Sequence, residues 1–342
     1  MLFKKRQPLL LLGNYQESKM RFIFNRNNMK KEIIIIIYIL AHNFSFSQQF
    51  TDLYGDYLSQ TPPGDTAVVF APGVVSTNKP EHSAAIFSPD GNEVFWSERK
   101  IKYMRRIDNR WTVPQALDLF CDSTRINDHP FISADGKQLY LHSEGKKTSK
   151  EGLVPQQWTR YNNQDIWIVE REKQGWSVPI SLSPVVNNNY LQAQASFNKN
   201  GDVYFLSYLN NVDGECGIFM AKFRNGKYLS PVALPESINS KAQDWTPFIA
   251  PDDSYLIFSS YREGGFGQGD LYISFHDTIQ DIWSEAINLG KGINTGVQER
   301  FPAISPDGKY IFFTRWTEEN GHDIFWVSAA IIRKLKLKYS NR

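Results

Sequence analysis

The stretch QERFPAISPDGKYIFFTR, residues 298–315, repeats the pattern of EHSAAIFSPDGNEVFWSER, residues 81–99. In both stretches an Asp-Gly turn separates an apolar run from an alternating aromatic run, which is typical of a β-hairpin. Three related turns lie between these two, and successive turns start 45, 65, 52 and 55 residues apart. The five turns lie at residues 88–91, 133–136, 198–201, 250–253 and 305–308. This repetition predicts one structural unit that recurs five times along the chain.

Each hairpin is followed by a third apolar strand, for example DIFWVS at residues 323–328. Four repeats then have a fourth strand, marked by an aromatic residue, a proline and an aliphatic residue at intervals of three. In the first repeat these residues are Trp111, Pro114 and Leu117, and the fourth repeat has Ala286 in place of proline. Proline is tolerated on an outermost strand because its missing N–H costs no ladder bond there. We therefore expect units of four antiparallel strands.

The fifth repeat ends at Ser328 without a fourth strand, but Val69, Pro72 and Val75, ahead of the first repeat, have the same spacing. We expect this N-terminal segment to supply the outer strand of the last repeat. That arrangement closes a ring and removes sheet edges that would invite aggregation. The sequence therefore predicts an all-β fold, a single β-propeller of four-stranded blades closed by an N-terminal strand. Five blades fit the repeats best, and six stay open.

The segments FSPDGNEVFWSER, ISPDGKYIFFTR and FSSYREGGFGQGDLYIS resemble PD40 repeats, the WD40-like repeats of TolB-type propellers. The resemblance covers roughly residues 66–328 and implies the propeller fold. It does not single out a function, because the family includes Tol-system periplasmic proteins, peptidase propeller domains and exported proteins of unassigned role. TolB-type propellers usually have six blades and a separate N-terminal domain, for which we expect no room here. The chain has no G-x-S-x-G nucleophile elbow, which argues against a fused peptidase.

The N-terminal region has the three parts of a secretory signal peptide. From Met29 the chain reads MKKEIIIIIYILAHNFSFSQQF, with two lysines, a short apolar run and small residues at Ser45 and Ser47 before Gln48. We expect Met29 to be the true start, with Met20 as the alternative, and the mature protein to be periplasmic or secreted. No later stretch has 18 consecutive apolar residues, so no membrane span is predicted. The expected divisions are a leader at 1–47, a mature N-terminal segment at 48–65, the propeller at 66–332 and a basic, solvated tail at 333–342.

The charges are unevenly distributed along the chain. The formal net charge is +2, but residues 1–48 carry +6 and residues 333–342 carry +5, which leaves −9 on the body between them. A phosphate backbone is bound chiefly through lysine and arginine, so we expect no nucleic acid as partner. For the basic tail, contact with anionic envelope lipid stays open.

The two cysteines, Cys121 and Cys216, match no zinc-binding spacing. Two arrangements stay open for them, namely one disulfide in an oxidising compartment or two separate buried thiols. The sequence predicts no cofactor and no metal site.

The innermost strand of each propeller blade begins at one mouth of the central channel. Polar residues recur four to six positions before each turn, where these strands would start, and long loops of the same face add arginine and Trp158. We expect a ligand there, although polar groups that bind only water and each other are the alternative. The predicted ligand-binding residues are His82, Asn127, Asp128, His129, Gln192, Gln194, Asp244, Trp245, Glu299, Arg300, Arg262 and Arg315.

Two functions stay open. The favoured one is an exported, monomeric, non-catalytic binding or scaffold propeller of the periplasm or cell envelope, which recognises a protein or glycan at the loop-rich channel face. The alternative is a periplasmic carbohydrate-active hydrolase or lyase that uses carboxylates, or histidine with carboxylates, at the channel mouth. Its candidate catalytic residues are Asp128, His129, Asp244 and Glu299. We expect the aspartate of each SPDG turn to cap its own turn instead.

Overall fold

The structure of this chain, a computed structural model, describes residues 53–120, 126–144, 164–188, 191–207 and 216–340. All of them belong to a unit that spans Asp52–Arg342. The predicted leader, Trp158 and Cys121 lie outside the described residues. Cys216 is buried.

Antiparallel strands form five blades. A 3₁₀ turn, Asp56–Ser59, and strand β1, Val68–Val69, come first. Blade 1 contains β2 (Ile86–Phe87), β3 (Glu93–Ser97), β4 (Ile101–Ile107), β5 (Arg110–Trp111) and β6 (Gln115–Ala116). Blade 2 contains β7 (Asn127–Ile132), β8 (Gln138–Glu144), β9 (Gln164–Glu170) and β10 (Ile180–Ser181). Blade 3 contains β11 (Gln192–Phe197), β12 (Val203–Ser207), β13 (Gly217–Ala221), β14 (Phe223–Arg224), β15 (Lys227–Tyr228) and β16 (Val232–Ala233). Blade 4 contains β17 (Asp244–Ile249), β18 (Tyr255–Ser260), β19 (Asp270–Asp277), β20 (Ile282–Trp283) and β21 (Ile287–Asn288). Blade 5 contains β22 (Glu299–Ile304), β23 (Tyr310–Thr317) and β24 (Gly321–Ser328).

The N-terminal strand closes the ring as predicted. The last sheet has the order β1-β24-β23-β22, and Val68 lies opposite Trp326. Phe70, which follows β1, is fully buried, and its ring lies 5.0 Å from that of Phe312 and 5.2 Å from that of Trp326. The predicted all-β propeller of four-stranded blades is therefore confirmed, with five blades in the part of the chain that the structure describes.

The SPDG turns have the structural role that the sequence indicates. The Asp307 carboxylate accepts hydrogen bonds from the Ser305 hydroxyl at 2.7 Å and the Lys309 amide at 3.1 Å, and Gly308 has φ 70°. Partial burial opposes ionisation of Asp307, but hydrogen bonds from Ser305, Tyr57 and Lys309 outweigh it and lower its pKa to about 2. The carboxylate thus stabilises its own turn.

An asparagine side chain fastens each of three blade-to-blade connections, and two of the three are buried. The Asn294 side chain accepts a hydrogen bond from the Leu271 amide at 2.8 Å and donates one to the Leu271 carbonyl at 2.9 Å. Leu271 lies in the third strand of its blade, and the asparagine thus pairs with a backbone N–H and a backbone C=O of that strand. The equivalent side chains are Asn187 on Ile166, Asn239 on Ile218 and, with a hydroxyl, Ser76 on Ile324. This feature was not predicted from the sequence.

The basic C-terminal segment is helical. Helix α1, Ala330–Ser340, places Ile331, Ile332 and Leu335 against the hydrophobic core, and Lys334 forms an ion pair with Asp65 at 2.7 Å. The basic residues lie toward solvent, as expected, but the apolar side of the helix is anchored to the propeller. Among the described residues, no helix is long and apolar enough to cross a membrane.

Candidate functional site

The inner strands of blades 2 to 5 share a backbone irregularity at the same position. The register of each with its neighbour shifts midway along the strand, which is the signature of a β-bulge. The residue at each shift has a left-handed φ between 48° and 55°. These residues are His129, Gln194, Thr246 and Phe301. Because a bulge breaks the alternation of side chains, counting along the strand does not tell which residues face the axis.

A cavity of about 470 Å³ lies at the channel mouth, where the inner strands begin. Its apolar wall is formed chiefly by Leu191, Ala193 and Leu206 of blade 3. The polar lining consists of Glu81, His82, Arg99, Asp128, His129, His142, Gln164, Gln194, Trp245, Arg300 and His322. A second space of about 40 Å³, lined by residues of all five blades, has room for about three water molecules. This inner space is therefore too small for a ligand larger than a few water molecules.

The predicted residues divide into two groups. Six of them line the cavity, namely His82, Asp128, His129, Gln194, Trp245 and Arg300. The other six, which do not line it, are Asn127, Gln192, Asp244, Glu299, Arg262 and Arg315. Of the four residues considered for catalysis, only Asp128 and His129 are therefore at the cavity.

Asp244 and Glu299 are engaged in buried ion pairs within their blades. Arg315 donates from Nε to Glu299 at 2.8 Å, and Arg262 donates from Nη2 to Asp244 at 2.9 Å. Each carboxylate also accepts hydrogen bonds from the residue four positions earlier, for example the Thr295 hydroxyl at 2.6 Å. Burial raises the pKa of Glu299, although Thr295 and Arg315 oppose the rise. Each arginine is neutralised by a carboxylate of its own blade, so we assign no ligand to either of them.

Glu81 lines the cavity but was not among the ligand-binding residues predicted from the sequence. It accepts a hydrogen bond from the Thr77 amide at 3.0 Å, as Glu299 does from Thr295. Blade 1 has one more residue between this glutamate and its turn, so counting back from the turn selects His82 instead. The repeated spacing of a hydroxyl residue four positions before an acid could have identified it.

The Glu81 carboxyl has no arginine partner in the described parts of the chain. It is 1% exposed, and no described residue forms a hydrogen bond with its Oε2 atom. Burial raises the pKa of Glu81 to about 8, opposed by the Thr77 amide and reinforced by the charges of Asp323 and Glu98. Glu81 is therefore mainly protonated at neutral pH and can act as a hydrogen-bond donor.

Asp128 is a fixed anion at the cavity. Its carboxylate accepts hydrogen bonds from the Ser97 hydroxyl and the His129 amide, and the Nδ1 atom of His82 lies 3.4 Å from its Oδ2. Burial disfavours its charge, but His129, His82 and Ser97 outweigh the burial and lower the pKa of Asp128 to about 2. A carboxylate with this many donors is a weak base.

Four of the six histidines in the chain line the cavity. The Nδ1 atoms of His129 and His142 lie 3.2 Å apart, and His322 accepts a hydrogen bond from Nη2 of Arg300 at 2.8 Å. Burial lowers the pKa of His129 to about 4, of His142 to about 3 and of His322 to about 4. These three imidazoles are neutral at physiological pH. Among the described residues, no group of three or more histidine, cysteine or acidic side chains is placed to hold a metal ion.

Several donors at the cavity have no protein partner. The Nε atom of Arg300 and the Nε1 atom of Trp245 are buried and form no hydrogen bond with any described residue. Neither Arg300 nor the exposed Arg99 forms an ion pair in the described chain. A buried donor without a hydrogen-bond partner destabilises the protein by about 1–3 kcal/mol. A ligand or water molecule that accepts a hydrogen bond from it removes this cost, which favours its binding. The cavity therefore favours an anionic or hydrogen-bond-accepting ligand.

Acidification should destabilise the propeller through the neutral histidines. Between pH 6.5 and about 4 the unfolded chain binds protons that folded His129, His142 and His322 exclude. The free energy of unfolding should therefore fall as the pH falls, by at most about 1.4 kcal/mol per pH unit for each histidine. Glu81 acts in the opposite direction between pH 4.5 and about 8, because the folded state holds its proton.

Urea unfolding at pH 7 and pH 5 measures this dependence. His322→Gln should reduce the loss of stability between these two pH values. An equal loss in the variant and the wild type would contradict the assignment of His322.

Comparison with known proteins finds similar folds but no family. The structure is similar to TolB from Acinetobacter baumannii, with 15% identity, a TM-score of 0.43 and coverage of 74% of this chain and 55% of that chain. It is also similar to an α-L-arabinofuranosidase from Lactobacillus brevis, with 12% identity, a TM-score of 0.48 and coverage of 73% and 92%. An endo-arabinase from Bacteroides thetaiotaomicron is similar too, with 12% identity, a TM-score of 0.49 and coverage of 75% of this chain and 96% of that chain. This chain thus spans about half the length of that TolB. No protein-family model and no curated protein matches the sequence.

Proposed function

We propose that this protein is a non-catalytic binding propeller that recognises an anionic group of a protein or glycan in the channel-mouth cavity. One observation carries the proposal: Arg300 lines a cavity of about 470 Å³ with its Nε atom buried and unpartnered by any described residue. Cavities of about 300–1,000 Å³ are typical of ligand sites. A guanidinium can bind a carboxylate through two parallel hydrogen bonds, which fixes both the position and the orientation of the ligand.

The ion pairs of Asp244 and Glu299 support a binding role over catalysis. Both carboxylates lie outside the cavity and are held by arginine. Glycoside hydrolysis requires two carboxyl groups that flank the same bond. Two of the four candidate catalytic residues are therefore not available for such a reaction.

A carbohydrate-active hydrolase or lyase remains the second candidate function. It is favoured by the two carboxyl groups at the cavity, because the pKa of Glu81 is about 8 and that of Asp128 is about 2. Environments that separate two pKa values in this way are typical of pairs in which one carboxyl group donates a proton and the other stays ionised as nucleophile or electrostatic stabiliser. In this case Glu81→Gln and Asp128→Asn should each abolish turnover of a polysaccharide.

The binding proposal is tested with an array of anionic and neutral glycans and of peptides that end in a free carboxylate. We expect anionic probes to bind, and Arg300→Gln to weaken them by about 10- to 100-fold, the value of a charge-assisted hydrogen bond of about 1.5–3 kcal/mol. Lys227→Gln, at an exposed lysine of the β14–β15 hairpin, is the matched control. Equal affinities of the wild type and Arg300→Gln, or the absence of any binding probe, would refute the proposal.

We further propose that the protein is an exported PD40-type propeller that acts as a monomer in the periplasm or outside the cell. The signal-like segment before Gln48 and the five SPDG-type turns support this assignment. The intact mass of the exported protein should correspond to a chain that begins at Gln48. A mass that includes the leader would contradict the cleavage.

A further inference from the structure

Two exposed aromatic side chains flank the rim of the cavity. Tyr261 follows β18 and is 38% exposed, and Trp316 lies in β23 and is 40% exposed. Gln298 connects them, because its side-chain amide donates to the Tyr261 hydroxyl and its carbonyl accepts from the Trp316 amide at 2.9 Å. Gln298 thus links the Tyr261 side chain to the Trp316 backbone, and we call Tyr261, Gln298 and Trp316 together the aromatic rim.

The aromatic rim is continuous with the cavity on both sides. The Tyr261 ring lies 5.6 Å from the ring of Trp245, which lines the cavity. Trp316 lies directly opposite His322 in the β23–β24 ladder, and His322 also lines the cavity. Residues opposite each other in antiparallel strands have their side chains on the same face of the sheet. A ligand that fills the cavity and extends outward would therefore meet these rings.

Two arginines beside the aromatic rim have no carboxylate partner among the described residues, although the Asp128 carboxylate lines the same cavity. Arg300 lies two residues after Gln298, and within the described chain its guanidinium contacts the His322 ring and the face of Phe301. Arg99, also at the cavity, is exposed and has no acidic partner among the described residues. Arg315, by contrast, is already paired with Glu299. Cationic groups in the cavity and aromatic faces outside it therefore define two chemically different parts of one surface.

We infer that the ligand is an acidic oligosaccharide, with a uronic acid residue in the cavity against Arg300 and the following sugars along the aromatic rim. The inference rests on the proposed binding function. A sugar carboxylate matches the guanidinium fork, and the sugar C–H groups match the electron-rich faces of aromatic rings. Sugar hydroxyl groups can donate to or accept from the neutral histidines and Gln298. A peptide carboxylate could pair with Arg300, but flat exposed rings offer its main chain no hydrogen bonds.

The experiment is calorimetric titration of the mature protein with trimers of galacturonic, glucuronic and mannuronic acid, with their methyl esters and with the monomers. At least one trimer should bind, and its methyl ester should bind at least about 10-fold more weakly, since it lacks the charge. Arg300→Gln should lower the affinity for the acid but not for the ester. Trp316→Ala should weaken the trimer about 5- to 30-fold, the loss of about 1–2 kcal/mol of aromatic contact, and leave the monomer within about twofold.

Ile279→Ala is the matched control for Trp316→Ala, because Ile279 is 96% exposed in the β19–β20 hairpin and lines no part of the cavity. Thermal unfolding of each variant should match the wild type, which separates loss of the ligand contact from loss of the fold. Equal binding of acid and ester, or equal effects of Trp316→Ala on trimer and monomer, would overturn the inference. If only peptides with a free carboxylate bind, the glycan ligand is refuted and the binding function stands. If neither trimers nor peptides bind, both fail.

Discussion

Deletion of residues 66–75 should abolish the cooperative unfolding transition of the propeller. The deletion removes β1, which pairs with β24, and opens the ring at blade 5. It also removes Phe70 and Val75, both fully buried. Loss of two such side chains costs several kcal/mol, and a whole domain is stable by only about 5–15 kcal/mol. Circular dichroism during urea unfolding measures the transition.

A single substitution tests the same contact without opening the ring. Phe70→Ala should lower the free energy of unfolding by about 3–5 kcal/mol, because the rings of Phe87, Phe312 and Trp326 cannot close the space that it leaves. Val68→Ala on the same strand is the control, since Val68 is 45% exposed and should cost less than about 1 kcal/mol. If the deletion variant unfolds at the midpoint of the wild type, the closing role of this segment is wrong.

Arg315→Met should destabilise the protein by about 3–5 kcal/mol, the usual cost of leaving a buried charge without its partner. The Glu299 side chain is completely buried and, among the described residues, would retain only Thr295 as a hydrogen-bond donor. Its pKa, already raised by burial, should rise further in the variant. The folded variant then binds a proton that the unfolded chain releases, so the variant should recover stability as the pH falls. Urea unfolding between pH 8 and pH 5 measures this recovery.

Two controls distinguish the effect of breaking a buried ion pair from the effect of removing any positive charge. Lys137→Met removes a surface pair with Asp135, at 3.9 Å, and should cost less than about 1 kcal/mol. The double variant Arg315→Met with Glu299→Leu should regain most of the lost stability, because no buried charge is left. A double variant as unstable as Arg315→Met alone would mean that Arg315 stabilises through packing on Phe325, whose ring centre lies 4.3 Å away.

The arginines show why the fold is easier to predict from the sequence than the set of side chains that line the cavity. Glu299 and Arg315 lie directly opposite each other in the β22–β23 ladder, although 16 residues separate them in the chain. A hairpin centred on its SPDG turn brings such residues together, but the bulge before Ala303 shifts the register by one position. That shift is not visible in residue types. The sequence predicts Arg315 among the ligand-binding residues because of its position at the loop-rich face, whereas in the structure it forms a buried ion pair with Glu299.

Glu81 is the complementary case, a cavity residue that counting from the turn did not find. In blades 2 to 5 the first residue of the inner strand lies six residues before the start of the turn. In blade 1 the equivalent residue, Glu81, lies seven residues before it. The C-terminal helix is similar, because Ile331, Ile332 and Leu335 have helical spacing among basic residues. Their packing against the core, which anchors the helix, depends on blades that are distant in sequence.

The sequence by itself determined the five repeats, their turns and the strand that closes the ring. Turns and strand alternation arise from contacts between near neighbours, and ring closure follows from a missing fourth strand in the same pattern. Only the tertiary structure decided which polar residues share a cavity and which neutralise each other inside a blade. Bulges and one extra residue reorient those side chains. Burial then keeps Glu81 and the histidines neutral, whereas His129, His82 and Ser97 keep Asp128 charged despite its burial.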